Sequence, residues 1–138
     1  MSVVLSFKYY SMSVGSGDLL YSFFSTVAVR LEKEAWGSRF PVIMNELYAG
    51  KIPNKHLRHA EKELAQIKTE LKKLPRTEVV WDFEDRSLRP PWGDYISDSV
   101  TDMSNYFVTN EGRPLLDVVG LAIHLARNMK ESVLVESL

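Results

Sequence analysis

The segment from Val79 to Asp94, VVWDFEDRSLRPPWGD, combines two tryptophans with four carboxylates. If its first seven residues form a β-strand, Asp82 and Glu84 lie on the same face, because successive side chains of a strand point to opposite faces. Their side chains would then be about 6–7 Å apart at the base. That separation suits a general acid/base pair, or two oxygen ligands of a hard cation. The other interpretation is an acidic outer face that is solvated or binds another protein.

A metal site would need further ligands, which the residues after the segment offer as Asp94, Asp98 and Asp102. Their spacing does not match an EF-hand, which needs alternating acidic positions, a central glycine and a late glutamate. The chain has no cysteine, so it has neither a thiolate ligand nor a thiolate nucleophile. We therefore predict no catalytic residue, no metal and no cofactor. A carboxylate- or metal-dependent hydrolase using Asp82 and Glu84 is the alternative.

Aromatic residues are interspersed with these acids. Tyrosine and tryptophan are preferred anchors of protein interfaces, and acidic groups around them speed the encounter with a basic partner. We expect Trp81 and Phe83 to hold the predicted strand to the core, while Trp92 suits a buried turn and an interface equally well. The candidate partner-binding residues are Asp82, Glu84, Asp85, Trp92, Asp94, Tyr95, Asp98 and Asp102.

The charge is distributed unevenly along the chain. Residues 51–76 carry eight Lys/Arg and three Glu, whereas residues 77–111 carry eight Asp/Glu and two Arg. The formal net charge of the 138 residues is −1, which argues against a general nucleic-acid-binding protein. The N-terminus lacks the basic start of a signal peptide, and no apolar run reaches the length of a membrane span. These features predict a cytoplasmic protein that binds neither nucleic acid nor membrane.

The elements that must position these residues are predicted from periodicity. Residues 1–138 are expected to form a single α+β domain, with a small, mainly antiparallel sheet packed by about four helices. The strands are expected near 3–12, 77–84 and 104–109. The clearest helix follows Pro53, because its apolar residues recur at alternating steps of three and four until Pro75. The other helices are expected at 19–34, at 41–50 and from about 114 to 130, and an ordered loop fills 86–104.

Four blocks, in this order, resemble the bacterial immunity protein 70 family of polymorphic toxin systems. They are SGDLLYSFFSTVAVRLE, WGSRFPVIMNELYAGKI, VVWDFEDRSLRPPWG and SNYFVTNEGRPLLDV, and they extend from about Ser16 to Val118. The resemblance implies a non-enzymatic antidote that binds a cognate toxin domain in the producing cell, commonly over its active site or substrate surface. Such systems include contact-dependent growth inhibition.

Many toxins of such systems are nucleases with basic surfaces, which the acidic residues 82–102 would suit. A toxin with an acidic surface would suit the basic stretch at 51–76 equally well. The sequence leaves the docking surface, the toxin reaction and the oligomeric state open.

Overall fold

The computed structural model describes residues 2–138, which form a four-stranded antiparallel sheet packed by helices. The strand order is β2-β1-β4-β3, and every neighbouring pair is antiparallel. The predicted fold class, α+β with a small antiparallel sheet and about four helices, is confirmed. The strands are β1 (Ser2–Phe7), β2 (Tyr10–Ser16), β3 (Lys51–Ile52) and β4 (Val133–Ser137).

The predicted helices are all present, with bounds that differ by a few residues. Ser16 ends β2 and caps the first helix, because its hydroxyl accepts the backbone N–H of Leu19 at 3.1 Å. That helix continues as a π-helical turn, Val27–Leu31, and a second π-helical segment spans Val42–Leu47. The α-helices are α1 (Gly17–Thr26), α2 (Leu57–Leu71) and α3 (Leu115–Asn128).

The first predicted strand, near residues 3–12, is a hairpin. Phe7 pairs with Tyr10 across a two-residue turn, in which Lys8 adopts a φ of 55°. Positive φ at a turn usually selects Gly, Asn or Asp. Because the turn contains none of these residues, it could not be predicted from turn chemistry.

The strands predicted near 77–84 and 104–109 are wrong. Arg76–Glu78 form a 3₁₀ turn, the following residues join no sheet, and Val108 makes only an isolated bridge with Pro114. The edge of β1 away from β2 is instead taken by β4, which was not predicted. High β propensity indicates that a segment can adopt an extended conformation, but it does not determine which other strand that segment pairs with.

The core connects α1 to the chain that follows the long loop. Phe23 is fully buried and meets Phe107 edge-on, with ring centroids 5.9 Å apart. The apolar stripe of α2 is buried in the same cluster, and α2 packs on α3. Phe107 therefore fixes one end of the loop to the helical layer.

Two buried glutamates organise the connection between the first helix and the Val42–Leu47 segment. The Glu32 carboxylate accepts the backbone N–H groups of Gly37, Arg39 and Phe40 at 2.9, 3.0 and 3.1 Å. The Glu63 carboxylate, on α2, accepts the backbone N–H groups of Val42 and Ile43 at 3.2 and 2.8 Å. Both side chains thus supply acceptors for backbone N–H groups that are buried or part-buried.

Candidate protein-binding surface

Residues 79–83 are held to the first helix by side-chain hydroxyls rather than by a β-ladder. The Thr26 hydroxyl accepts the backbone N–H of Val80 at 3.0 Å, and the Ser22 hydroxyl donates to the Val80 carbonyl at 2.8 Å. The Ser25 hydroxyl accepts the N–H of Phe83 at 3.0 Å. All three hydroxyl residues are fully buried. They were visible in the sequence as polar residues on the inner side of an apolar helix, which is the signal that sequence reasoning missed.

This attachment buries Val80, which was expected to face outward, while Phe83 packs against the core as expected. Val80 is buried, whereas Trp81 is only partly buried. Phe83 packs edge-on against Trp36 at a centroid distance of 5.2 Å. The alternation inferred from a strand therefore does not apply here.

Thr26→Val is expected to lower the free energy of unfolding by about 1–3 kcal/mol, because it leaves the buried N–H of Val80 without an acceptor. Urea unfolding measures the loss. Thr69→Val is a matched control, since the Thr69 hydroxyl is exposed and bonds only to the helical carbonyl of Ala65. The control should change stability by less than about 0.5 kcal/mol. Equal losses in both variants would show that the Thr26 contact does not hold the segment.

Asp82 closes a turn instead of projecting from a strand. Its Oδ1 atom accepts the N–H groups of Glu84 at 2.8 Å and Asp85 at 3.1 Å. The pKa of Tyr21 is raised, first by burial and then by the charges of Asp82 and Glu84, which places both carboxylates near that ring. The strand geometry that suggested an acid/base pair is therefore not formed.

Asp85 and Asp102 accept hydrogen bonds from neighbouring serines. The side-chain and backbone groups of Ser87 donate to Asp85 and lower the pKa of that exposed carboxyl. Burial raises the pKa of Asp102, but hydrogen bonds from Ser104 and Thr101 and the charge of Lys72 together outweigh it, and the net pKa is lowered. Both residues are thus negatively charged at neutral pH.

Trp92 is fixed in place although its side chain is 38% exposed. Its indole N–H donates to the Tyr106 hydroxyl at 2.9 Å, and Trp81 meets its ring edge-on at 5.4 Å. Burial raises the pKa of Tyr106, and the indole N–H opposes that effect. Tyr106 in turn contacts Phe107 at 5.2 Å, so Trp92 is connected to the core.

Trp92 and Tyr95 border an open apolar cavity of about 340 Å³. We call it the apolar cavity; it lies between the start of α1, residues 92–100 and residues 106–110. Tyr95, at the edge of this cavity, is 92% exposed. The lining residues are Gly15, Ser16, Leu19, Trp92, Tyr95, Ile96, Ser97, Val100, Tyr106, Val108 and Asn110.

The candidate acids are distributed over several places. Asp82 and Glu84 are near Tyr21, whereas Asp94 borders a polar cleft that contains Arg30, Arg76, Arg86 and Arg89. Asp98 is exposed in the loop beside the apolar cavity. The structure thus brings Trp92, Tyr95, Asp94 and Asp98 to one region and places Asp82 and Glu84 beside another aromatic group.

Across residues 2–138, no three His, Asp or Glu side chains are grouped so that they could hold a metal ion. None of the helices within that range is long and apolar enough to cross a bilayer.

Exposed aromatic side chains with acidic groups near them in the chain are typical of surfaces that bind another protein. The family model of immunity protein 70 matches residues 5–135, and the chain belongs to that family of immunity proteins of toxin systems. The resemblance predicted from the four sequence blocks is confirmed. Membership indicates a partner-binding protein rather than an enzyme. No curated protein and no solved structure shows significant similarity to the chain.

Proposed function

We propose that this protein neutralises a cognate bacterial toxin domain by binding it in the cytoplasm of the producing cell and covering its active site or substrate surface. The observation that supports this most directly is the match to the immunity protein 70 family over residues 5–135. No reaction of its own and no cofactor enter the proposal. Neutralisation requires only that the complex outlasts the toxin's encounter with its substrate.

The proposed docking surface is the acidic loop, residues 82–102, with Trp92 and Tyr95 as anchors. A large exposed aromatic beside a fixed tryptophan is the arrangement expected of an interface anchor. Exposed carboxylates around it favour a toxin with a basic surface, and a nuclease is the toxin class that this charge suits best. The basic face of α2 is the competing surface, because it favours an acidic toxin.

The test of function is co-expression with the toxin domain encoded beside this protein. Cells with the toxin alone should stop growing, and cells with both proteins should grow and yield a complex on purification. Full toxicity and no complex would reject the proposal for that pair.

The charge of the docking surface is tested by the double variant Asp82→Asn/Glu84→Gln. Asparagine keeps the Oδ1 acceptor that closes the turn, so the variant removes charge and preserves the backbone. We expect association with the toxin to slow about three- to tenfold at low salt, and the difference to vanish near 1 M salt. Stopped-flow association rates measure this.

A matched variant on the competing surface is Arg58→Gln/Lys62→Gln, which removes two exposed charges from α2. It should leave a basic toxin's association rate unchanged or slightly raise it. Slower association in this variant, with no effect at Asp82 and Glu84, would move the interface to α2.

A further inference from the structure

The apolar cavity is held open by contacts between segments that are distant in sequence. The backbone N–H of Asn110 donates to the Val14 carbonyl at 3.1 Å, which joins the 106–110 wall to β2. The Arg76 guanidinium donates to the carbonyls of Ser97 and Val100 at 3.3 and 3.2 Å, which fixes the 92–100 wall. The Trp92–Tyr106 hydrogen bond joins the two walls. A site with walls fixed in this way binds without the cost of ordering a loop.

The lining is mainly apolar, and the charged residues next to it in the sequence are carboxylates. Asp18, Asp94, Asp98 and Glu111 are all exposed, and each is adjacent in sequence to a lining residue. Within residues 2–138, no lining residue is adjacent in sequence to a Lys or Arg, and none of the four carboxylates forms an ion pair. Arg76 donates to backbone carbonyls of the wall, and the neighbouring polar cleft, which shares Ile96 and Tyr106 with the apolar cavity, contains Asp94 together with Arg30, Arg86 and Arg89.

We propose that the apolar cavity receives one apolar side chain of the partner, flanked there by Lys or Arg. This inference rests on the proposed function, in which the partner is a toxin domain, and it specifies the chemistry of the segment that docks. The apolar lining provides the driving force for a side chain such as leucine, methionine or phenylalanine. The exposed carboxylates next to the lining, Asp18, Asp98 and Glu111, favour basic neighbours, because unpaired carboxylates attract a cation and repel another acid.

The cavity size fits this occupant. A volume of about 340 Å³ is at the lower end of the range for sites that enclose a small molecule, about 300–1,000 Å³. It therefore accommodates one large side chain with part of its backbone. Interface energy is commonly concentrated in such an anchor seated in a pocket.

The test uses three capped tripeptides, Arg-Leu-Arg, Arg-Gly-Arg and Glu-Leu-Glu, titrated into the full-length protein. Methyl resonances of Leu19, Ile96 and Val108 and the indole resonance of Trp92 report on the cavity. We expect Arg-Leu-Arg to produce saturable shifts at these groups, and Arg-Gly-Arg to bind at least about tenfold more weakly, because it lacks the apolar side chain. Glu-Leu-Glu should bind about tenfold more weakly at low salt, with a smaller difference at high salt.

A filled cavity provides the second measurement. Val108→Trp places a large ring at the cavity and removes no charge, and Leu134→Trp is the matched control, since both residues are similarly exposed and Leu134 lies on β4. Val108→Trp should abolish the Arg-Leu-Arg shifts and weaken the toxin complex by at least tenfold. The control should do neither.

The outcomes separate the inference from the proposed function. Peptide shifts at the cavity without a toxin complex would leave the inference standing and reject the function for that toxin. A toxin complex that is unchanged by Val108→Trp, together with equal shifts for Arg-Leu-Arg and Arg-Gly-Arg or none, would overturn the inference alone.

Discussion

Glu32→Ala is expected to lower the free energy of unfolding by about 3–5 kcal/mol. The side chain is 2% exposed, and its two oxygens accept the N–H groups of Gly37, Arg39 and Phe40. Alanine leaves these three donors without their acceptor, and the N–H of Phe40 is buried while those of Gly37 and Arg39 are part-buried. Since single losses above about 4 kcal/mol are rare, this would be one of the largest effects of any substitution in the chain.

The conservative variant separates charge from shape. Glu32→Gln keeps one oxygen acceptor but turns an amide N–H₂ towards a backbone donor, so it should recover only part of the stability. Urea unfolding of the three proteins gives the comparison. Glu34→Ala is the control, because Glu34 is exposed and pairs with Arg86 at the surface, where such pairs contribute about 0–1 kcal/mol. A Glu32→Ala loss no larger than that of Glu34→Ala would contradict the role assigned to the buried carboxylate.

The helices could be predicted because the spacing of apolar residues within each segment shows which face is buried. The apolar residues of α2 recur at the helical period, and Pro53 and Pro75 bound the run. The helix retains its structure wherever it packs, so the pattern alone suffices. Ser16 could also be predicted as a cap, since capping involves only the next few residues.

The strands were harder, because sheet pairing is a relation between distant segments. Residues 79–84 have the composition of a strand, yet buried hydroxyls on α1 supply the hydrogen bonds that a neighbouring strand would have supplied. The strand that pairs with β1 is instead β4, from the last residues of the chain. Local propensity cannot decide between such partners.

Residues of the candidate site could be predicted from the sequence only where they lie in one continuous segment. Trp92 and Tyr95 could be predicted because they follow a run of acids, and both border the apolar cavity. Leu19 and Val108 could not, because nothing in their own neighbourhoods links them to residues 92–100. The same holds for Asp18 and Glu111, which are exposed and next to lining residues in the sequence.

The affinity prediction with the largest effect concerns Tyr95. Its side chain is 92% exposed in the free protein, so the unbound protein gains little from its contacts. Tyr95→Ala should therefore change the free energy of unfolding by less than about 0.5 kcal/mol. If Tyr95 is an anchor, the same substitution should raise the Kd of the toxin complex about 30-fold, equivalent to about 2 kcal/mol, because central aromatic anchors carry losses of that size. Calorimetric titration and thermal unfolding of the same samples measure both quantities.

Tyr9→Ala is the matched control for this prediction. Tyr9 is the same residue type, 90% exposed, and lies in the turn before β2, whereas the residues of β2 that line the apolar cavity are at its other end. A six-residue length of strand separates the two ends by roughly 20 Å. Tyr9→Ala should leave both affinity and stability unchanged, since loss of an exposed ring matters only where a partner covers it. If both variants weakened the complex equally, the interface would not be centred on the loop, and if neither did, Tyr95 would not be an anchor.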